Sequence, residues 1–510
     1  MALIAEHHRL RVVSGKAPGS LDDRTWADLH LDTVFERLDH TESTVGQQVL
    51  YHRLRSGRRH DLDAFEAIAA RMAADPAERE RLQLALTRLR APAGYHLCAL
   101  GADPLPSPRW QVVFPILTVL MVAALGLAAF FPAALLAALN LAVINVFVRL
   151  LLAGPMGEPL NAFRQIAPLM AAGDAIARFD CPAGESILRP IRDAIPRLHA
   201  LRFWTGWSGR QGLDELTSAV LEYVNLVLLL DANALYFGAR AVNERAADLA
   251  AVIQGVGDVD AAIAVASFRA GTAGWTRPEF RPRGAPLELV EARHPLVVNA
   301  VANAITLGSP AGLLLTGANM SGKSTLLRTL GVNVVLAQTV HTCFAAACRG
   351  PLLDVRTLMG RSDDLVAGQS YYSQDVARVV ELMDLRDDAT DRLVIFDELF
   401  RGTNAVERVA AAAAVLEHLA RPHAASARPL VVAATHDAEL VPLLAGTFAP
   451  YHLADGIGPD GPVFHYTLAP GPATTRTAIA LLELFGAPDD VVRRSRAISD
   501  RLDAGERAHH

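Results

Sequence analysis

Apolar positions recur at helical spacing in Leu31-Asp-Thr-Val-Phe35-Glu-Arg-Leu38 and again from Leu62 to Leu89, which predicts helices across residues 20 to 105. The basic stretch His52-Arg-Leu-Arg-Ser-Gly-Arg-Arg-His60 between them reads as a solvated loop, with lipid headgroups or nucleic acid as alternative neighbours. The pattern then changes abruptly. From Trp110 through Val148 the chain carries no charge for 39 residues, between Arg109 and Arg149. As helix this run would measure about 58 Å, twice a hydrocarbon core of about 30 Å, so two crossings are predicted rather than one. Pro132, after Phe130-Phe131, sits where the turn must be, and Leu150 to Leu152 complete the second helix if Arg149 snorkels. Arginines at both ends place both on the cytoplasmic side. A re-entrant or core-buried helical pair is the alternative, favoured by Asn140 and Asn145.

A second apolar run, Val220 to Leu230, carries Glu222 and Asn225 and stops at Asp231; it is short and polar for a span and reads as a packed helix. Pro182, Pro190 and Pro196 suggest a linker before it, and Trp204 and Trp207 suit either an interfacial belt or a core. Helices are predicted to about residue 268, and the Pro/Gly/Arg-rich stretch from Trp275 to Pro286 marks a domain boundary. Beyond it the period changes again. Leu313 to Thr316, Leu393-Val-Ile-Phe396 and Leu430-Val-Val-Ala-Ala434 are short, wholly apolar runs of the kind that form buried parallel strands, and polar residues follow each one.

Composition narrows this picture only modestly. A net charge of −6 over 510 residues gives no global basic field, so charge alone implies no nucleic-acid affinity. Four cysteines without a CxxC pair read as reduced, buried thiols rather than metal ligands. The first ten residues hold no apolar core of a cleaved signal, and the expected location is the inner (cytoplasmic) membrane, with everything outside the hairpin facing the cytoplasm. The positive mean hydropathy, +0.24, owes much to the uncharged run.

The chemistry is concentrated after the first buried strand, in Gly317-Ala318-Asn319-Met320-Ser321-Gly322-Lys323-Ser324-Thr325. A strand that delivers the chain into a glycine-bounded loop, followed by a helix, directs backbone N–H groups and the positive helix end at one anion. Only two of the 48 basic residues are lysines, Lys16 and Lys323, so the cradle holds a slim ammonium in a chain that otherwise uses arginine. Lys323 is expected to reach the β- and γ-phosphates of ATP and Ser324 to coordinate Mg²⁺. Asp397 and Glu398 end another apolar strand. The first is expected to hold the metal, through water, and the second to take a proton from attacking water. His436, after the strand ending at Ala434, is placed to sense the γ-phosphate or orient that water.

These stretches together resemble the MutS mismatch-repair ATPase family: Glu291-Ala-Arg293-His294-Pro295, Thr316 to Thr325, Asp363-Asp-Leu-Val-Ala-Gly-Gln-Ser370, Asp397-Glu-Leu-Phe-Arg-Gly402-Thr-Asn404 and Ala434-Thr-His436, in that order. Asp28-Leu-His-Leu-Asp32 with Leu38 to Gly46 is similar to the start of the family's helical core domain, and Leu484 to Val492 to its C-terminal helix-turn-helix. The resemblance implies a homodimer with composite ATP sites, in which Ser370 of one subunit reaches the nucleotide of the other, and nucleotide-driven motion of helical levers. It implies ATP-dependent DNA binding of the repair type. The family's Phe-x-Glu wedge has no counterpart near this N-terminus, so direct mismatch recognition is not expected. Phe400, Asn404 and Arg408 stand where the family usually has glycine, serine and glycine; none is a phosphate or metal ligand. Leu365 to Gln369 superficially resembles a transporter-ATPase signature, a reading that two crossings per chain make unattractive.

The expected architecture is an α/β P-loop NTPase domain of the ABC/MutS type over 286–510, carrying the helix-turn-helix. It lies C-terminal to an all-helical core/lever region over 1–108 and 153–285, interrupted by a transmembrane helical hairpin over 109–152. Two functions compete: a Mg²⁺-dependent ATPase of the DNA-repair type, and a membrane-tethered ATPase that remodels a membrane partner without DNA.

Overall fold

The computed structural model describes all residues except 16–18, 58–60, 102–104, 106–108, 153–156, 200, 202–214, 309–311, 318–320, 361–370, 385–390, 422–428, 459–460, 474–477 and 508–510. The chain divides into two compact units, Met1–Pro18 with Arg37–Ala273, and Gly19–Glu36 with Gly274–His510.

The first unit is helical. Its centre is Ala246–Ala270, long and apolar enough to cross a membrane but with 83% of its apolar window buried in protein. Helices Thr44–Arg55, Leu62–Ala74 and Glu185–Leu198 pack around it. Two buried polar ties set the register. Asp260 accepts from the backbone N–H groups of Glu42 (3.0 Å) and Ser43 (2.8 Å) and from Ser43 Oγ (2.5 Å), which fixes the entry to the helix at Thr44. Arg53, fully buried, bridges Asp61 (2.9 Å) and Asp258 (2.8 Å) while stacked on Phe65. Pro190 and Pro196, expected in a linker, lie inside Glu185–Leu198. The helix survives them because Ile187, Leu188, Ile191, Ala194, Ile195 and Leu198 form one buried stripe, and that burial outweighs the missing backbone bonds.

The uncharged run forms two antiparallel helices, Val113–Ala128 and Ala134–Leu152, turning at Phe130 to Ala133. Most of their apolar side chains are exposed, among them Val119, Leu136, Val143 and Phe147, as is Phe130 (80%) at the turn. Neither asparagine faces outward unpaired: Asn145 is buried and donates to the Val227 carbonyl, and Asn140 donates to Leu136 in its own helix.

The second unit is α/β. A six-stranded sheet runs in the order Gly461–Pro470, Phe448–Gly458, Gly312–Thr316, Leu430–Thr435, Asp391–Asp397, Leu353–Met359, parallel except for the Gly461–Pro470 edge. The three apolar runs picked out by pattern are adjacent parallel strands at its centre, and the middle one is buried at every position. Helices Lys323–Val340 and Ala405–Ala420 follow two of them. A smaller sheet holds Glu279–Phe280, Ala347–Gly350, Leu287–Ala292 and Asn303–Leu307. Helices Ala478–Leu484 and Asp489–Arg507 pair near the C-terminus, where a helix-turn-helix was expected.

Residues 19–36 belong with this unit and not with the first helical part, where the sequence placed them. The reason is Asp28: its carboxylate accepts from Thr357 Oγ1 (2.8 Å) and the Met359 N–H (2.9 Å), so helix Asp23–Asp28 is pinned to the edge strand Leu353–Met359. All four cysteines are buried free thiols.

Candidate functional site

Parallel strands deliver their following loops to the same sheet edge, and here the register pairs Thr316 with Thr435 and Asp397 with Ala434. The phosphate-type loop, the acidic pair and His436 therefore meet although more than a hundred residues separate the first from the last. Ser324 Oγ donates to Asp397 Oδ2 at 2.5 Å. Lys323 Nζ donates to the Gly317 carbonyl at 2.7 Å and lies 3.4 Å from His436 Nδ1. That nitrogen is 3.0 Å from the same carbonyl, and His436 Nε2 pairs with Glu398 Oε1. The imidazole thus bridges the Gly317 carbonyl and the Glu398 carboxylate, with the Lys323 ammonium beside it.

The backbone is bent to make this possible. Gly322, which precedes helix Lys323–Val340, has φ +99°, and a Cβ there would come within 2.9 Å of the Tyr466 ring. Glu398 has φ +58°, an expensive conformation for a non-glycine residue, held by its N–H bond to the Ala434 carbonyl (3.0 Å). Electrostatics follow burial and pairing. The bond to His436 holds the Glu398 carboxyl below its ordinary value, against an opposing push from burial. Burial raises Asp397, partly offset by the Ser324 hydrogen bond. Burial lowers Lys323, partly offset by Glu398 and Asp397.

Of the residues assigned from sequence, Gly317, Ser321, Gly322, Lys323, Ser324, Thr325, Asp397, Glu398 and His436 lie in this one region of the second unit. Ala318, Asn319, Met320 and Ser370 lie outside the described residues. The donor set suits a magnesium nucleotide. Ser324 and Asp397 are hard oxygen donors side by side, and the buried Ser321 Oγ has no hydrogen-bond partner among the described residues. Beside them opens a cleft of about 560 Å³ that Lys323, Ser324, Thr325 and Glu398 share with Val297, Val298 and Tyr466. Sequence reasoning had no candidate for the nucleoside end. The cleft supplies an apolar wall from the 293–303 loop and the sheet edge, which no short motif announces.

The model of MutS domain V matches residues 313–503. The DNA mismatch repair protein MutS of Thermus thermophilus is 34% identical over 252 residues, 48% of this chain and 29% of that protein. That of Ruegeria pomeroyi is 32% identical over 310 residues, 58% of this chain and 34% of its own. The DNA mismatch repair protein MutS 2 of Halobacterium salinarum is 35% identical over 273 residues, 51% and 30% respectively. Residues 313–503 are a MutS domain V, and the similarity to MutS proteins supports a place in that family. It spans about a third of the length of the curated relatives it matches. MutS domain V is a P-loop ATPase domain, and the second unit's sheet and loops have that organisation.

Against the family pattern, each departure has found a structural use. Phe400 occupies the usual glycine position at φ +57° and is repaid by burial in the core beneath the sheet. Asn404 caps helix Ala405–Ala420 by accepting from the Val406 N–H (2.9 Å). Arg408 forms a two-pronged pair with Asp437, 2.6 and 2.9 Å, which ties that helix to the residue after His436.

Proposed function

We propose that this MutS-family chain binds ATP with Mg²⁺ at loop 317–325 and hydrolyses it. The observation that carries the reading is the juxtaposition of Lys323, Ser324, Asp397, Glu398 and His436 at one sheet edge. Lys323 exchanges its bond to the Gly317 carbonyl for the β- and γ-phosphate oxygens. Ser324 and Asp397 would hold the metal, and Mg²⁺ bound there would neutralise phosphate charge. Glu398, ionised, accepts the proton of the attacking water, while His436 orients Glu398 and faces the γ-phosphate. Val297, Val298 and Tyr466 are the groups available to an adenine.

A homodimer with composite sites, Ser370 of one subunit completing the other's, follows from the family resemblance, and repair-type DNA binding is the activity that the relatives' names favour. The hairpin favours a second reading, a membrane-tethered ATPase that remodels a membrane partner. Helices Trp110–Ala128 and Ala134–Leu151 are each long and apolar enough to cross a bilayer, with their outer faces exposed. Arg109 and Arg149 at the two ends favour cytoplasmic placement of both units, at the inner (cytoplasmic) membrane.

The test is the turnover of detergent-solubilised protein and of its Glu398→Gln variant, with and without mismatched or branched DNA. The expected result is loss of kcat by at least about a hundredfold with ATP binding retained, as removal of a general base costs. Unchanged turnover takes Glu398 out of its role. Stimulation by DNA that disappears at high salt selects the repair-type reading, and indifference to DNA at low salt selects the membrane one.

A further inference from the structure

We infer that helix Glu215–Leu228 is a third bilayer-embedded segment, seated against the hairpin, with its broken C-terminal end sealed by Thr118, Asn145 and Asn233. The inference rests on the membrane reading of the hairpin. By length and polarity this helix reads as a packed helix and not a span, but its neighbours within the first unit are the hairpin helices themselves: Val227 and Leu228 pack on Met121, Ala124 and Ala138.

The polar bonds at its end carry the argument. The helical path breaks at Leu229, which has φ +51°, before helix Leu230–Glu244 begins. A break strands carbonyl oxygens, and water would satisfy them at an ordinary surface. Here side chains reach all three, and the Leu229 carbonyl also accepts the Asn233 N–H (3.0 Å). Asn145 Nδ2 donates to the Val227 carbonyl (2.5 Å), Thr118 Oγ1 to that of Leu228 (2.8 Å), and Asn233 Nδ2 to that of Leu229 (2.9 Å) and to Thr118 Oγ1 (2.8 Å). Non-helical backbone at membrane depth must be sealed by protein in this way. The depth fits as well: Thr118 lies about 12 Å along its helix from Trp110, and Asn145 about 9 Å from Leu151, at about 1.5 Å per residue. Asp231, next to the break, is matched by Arg164 and by Asn225, whose Nδ2 donates to it at 2.6 Å.

The outer side of the helix carries the rest. Val220, Tyr223 (69% exposed) and Val224 recur at helical spacing on it and extend the apolar surface that the hairpin exposes. A largely apolar face on a helix packed against the hairpin fits lipid chains, with Tyr223 the amphipathic member.

The experiment uses the full chain in proteoliposomes. Spin labels are placed singly by Val220→Cys and Tyr223→Cys, by Val119→Cys and Phe147→Cys on the hairpin, and by Leu84→Cys as an exposed reference; the four native thiols are buried. Collision with oxygen, which dissolves in lipid, is compared with collision with a water-soluble nickel chelate. The expected result is oxygen-dominated collision, with loss of chelate collision, at 220, 223, 119 and 147, and chelate access at 84. Chelate access at 220 and 223 with lipid character at 119 and 147 overturns this inference and spares the membrane reading. Chelate access at all four overturns both. Shielding of 220 and 223 from both probes, with dimer-dependent broadening, assigns the face to a second copy and also overturns it.

Discussion

Glu398 shows how strain, charge and position combine at single residues. Its backbone is left-handed, its carboxylate pairs with His436, and that bond holds the carboxyl below its ordinary value, as the proposed acceptor role requires. His294 offers a pH test nearby. Burial, aided by the charges of Arg328 and His30, lowers it to about 4, and its Nδ1 accepts from the Leu296 N–H (3.2 Å), which requires an unprotonated nitrogen. The unfolded chain takes up this proton below pH 6.5 while the folded one refuses it until about 4, so stability is present above 6.5 and is lost as pH falls through that window. His294→Gln is expected to remove about 2 kcal/mol of the stability difference between pH 7 and pH 5, read by denaturant melts at both. An unaltered difference rules the residue out as its source. Arg408 makes the complementary case. Arg408→Ala frees the residue after His436 and is expected to lower kcat about tenfold with the KM for ATP unchanged, a cost of about 1.4 kcal/mol; a raised KM alone contradicts the assignment. That Lys323, Ser324, Asp397, Glu398 and His436 come together was legible in sequence, because each lies at the end of an apolar strand or in the loop and helix that follow it, and such strands align in a parallel sheet. The Arg408–Asp437 pair and the wall of Val297, Val298 and Tyr466 were not, since only tertiary register brings them together.

At the level of elements, period identified type far better than partner. The three buried strands were read correctly from unbroken apolar runs, whereas Pro190 and Pro196 suggested a linker that a well-buried stripe overrides. Helix Asp23–Asp28 was recognised as helix but assigned to the wrong core: amphipathic spacing says that a face is buried, not against what. Its attachment depends on Asp28, which satisfies both Thr357 and the backbone of Met359. Asp28→Ala leaves those donors buried and is expected to cost about 2 to 3 kcal/mol, seen as a lower Tm of the ATPase unit by calorimetry. A shift confined to the helical unit's transition contradicts the placement.

For the whole molecule, one chain joins a MutS-type ATPase unit to a helical unit that bears an apolar hairpin, and the family resemblance implies nucleotide-dependent motion of helices between them. Such coupling requires that ATP and ADP make different contacts with the chain, and the group best placed to register the γ-phosphate is the Lys323, Glu398, His436 cluster. Every functional statement depends on that cluster taking up nucleotide. The most direct measurement is isothermal titration calorimetry of a non-hydrolysable ATP analogue with Mg²⁺ into the detergent-solubilised chain and its Lys323→Ala variant. Saturable heat in the first, lost in the second while circular dichroism remains unchanged, is the predicted result. No heat from the native chain, or equal binding by both, contradicts it.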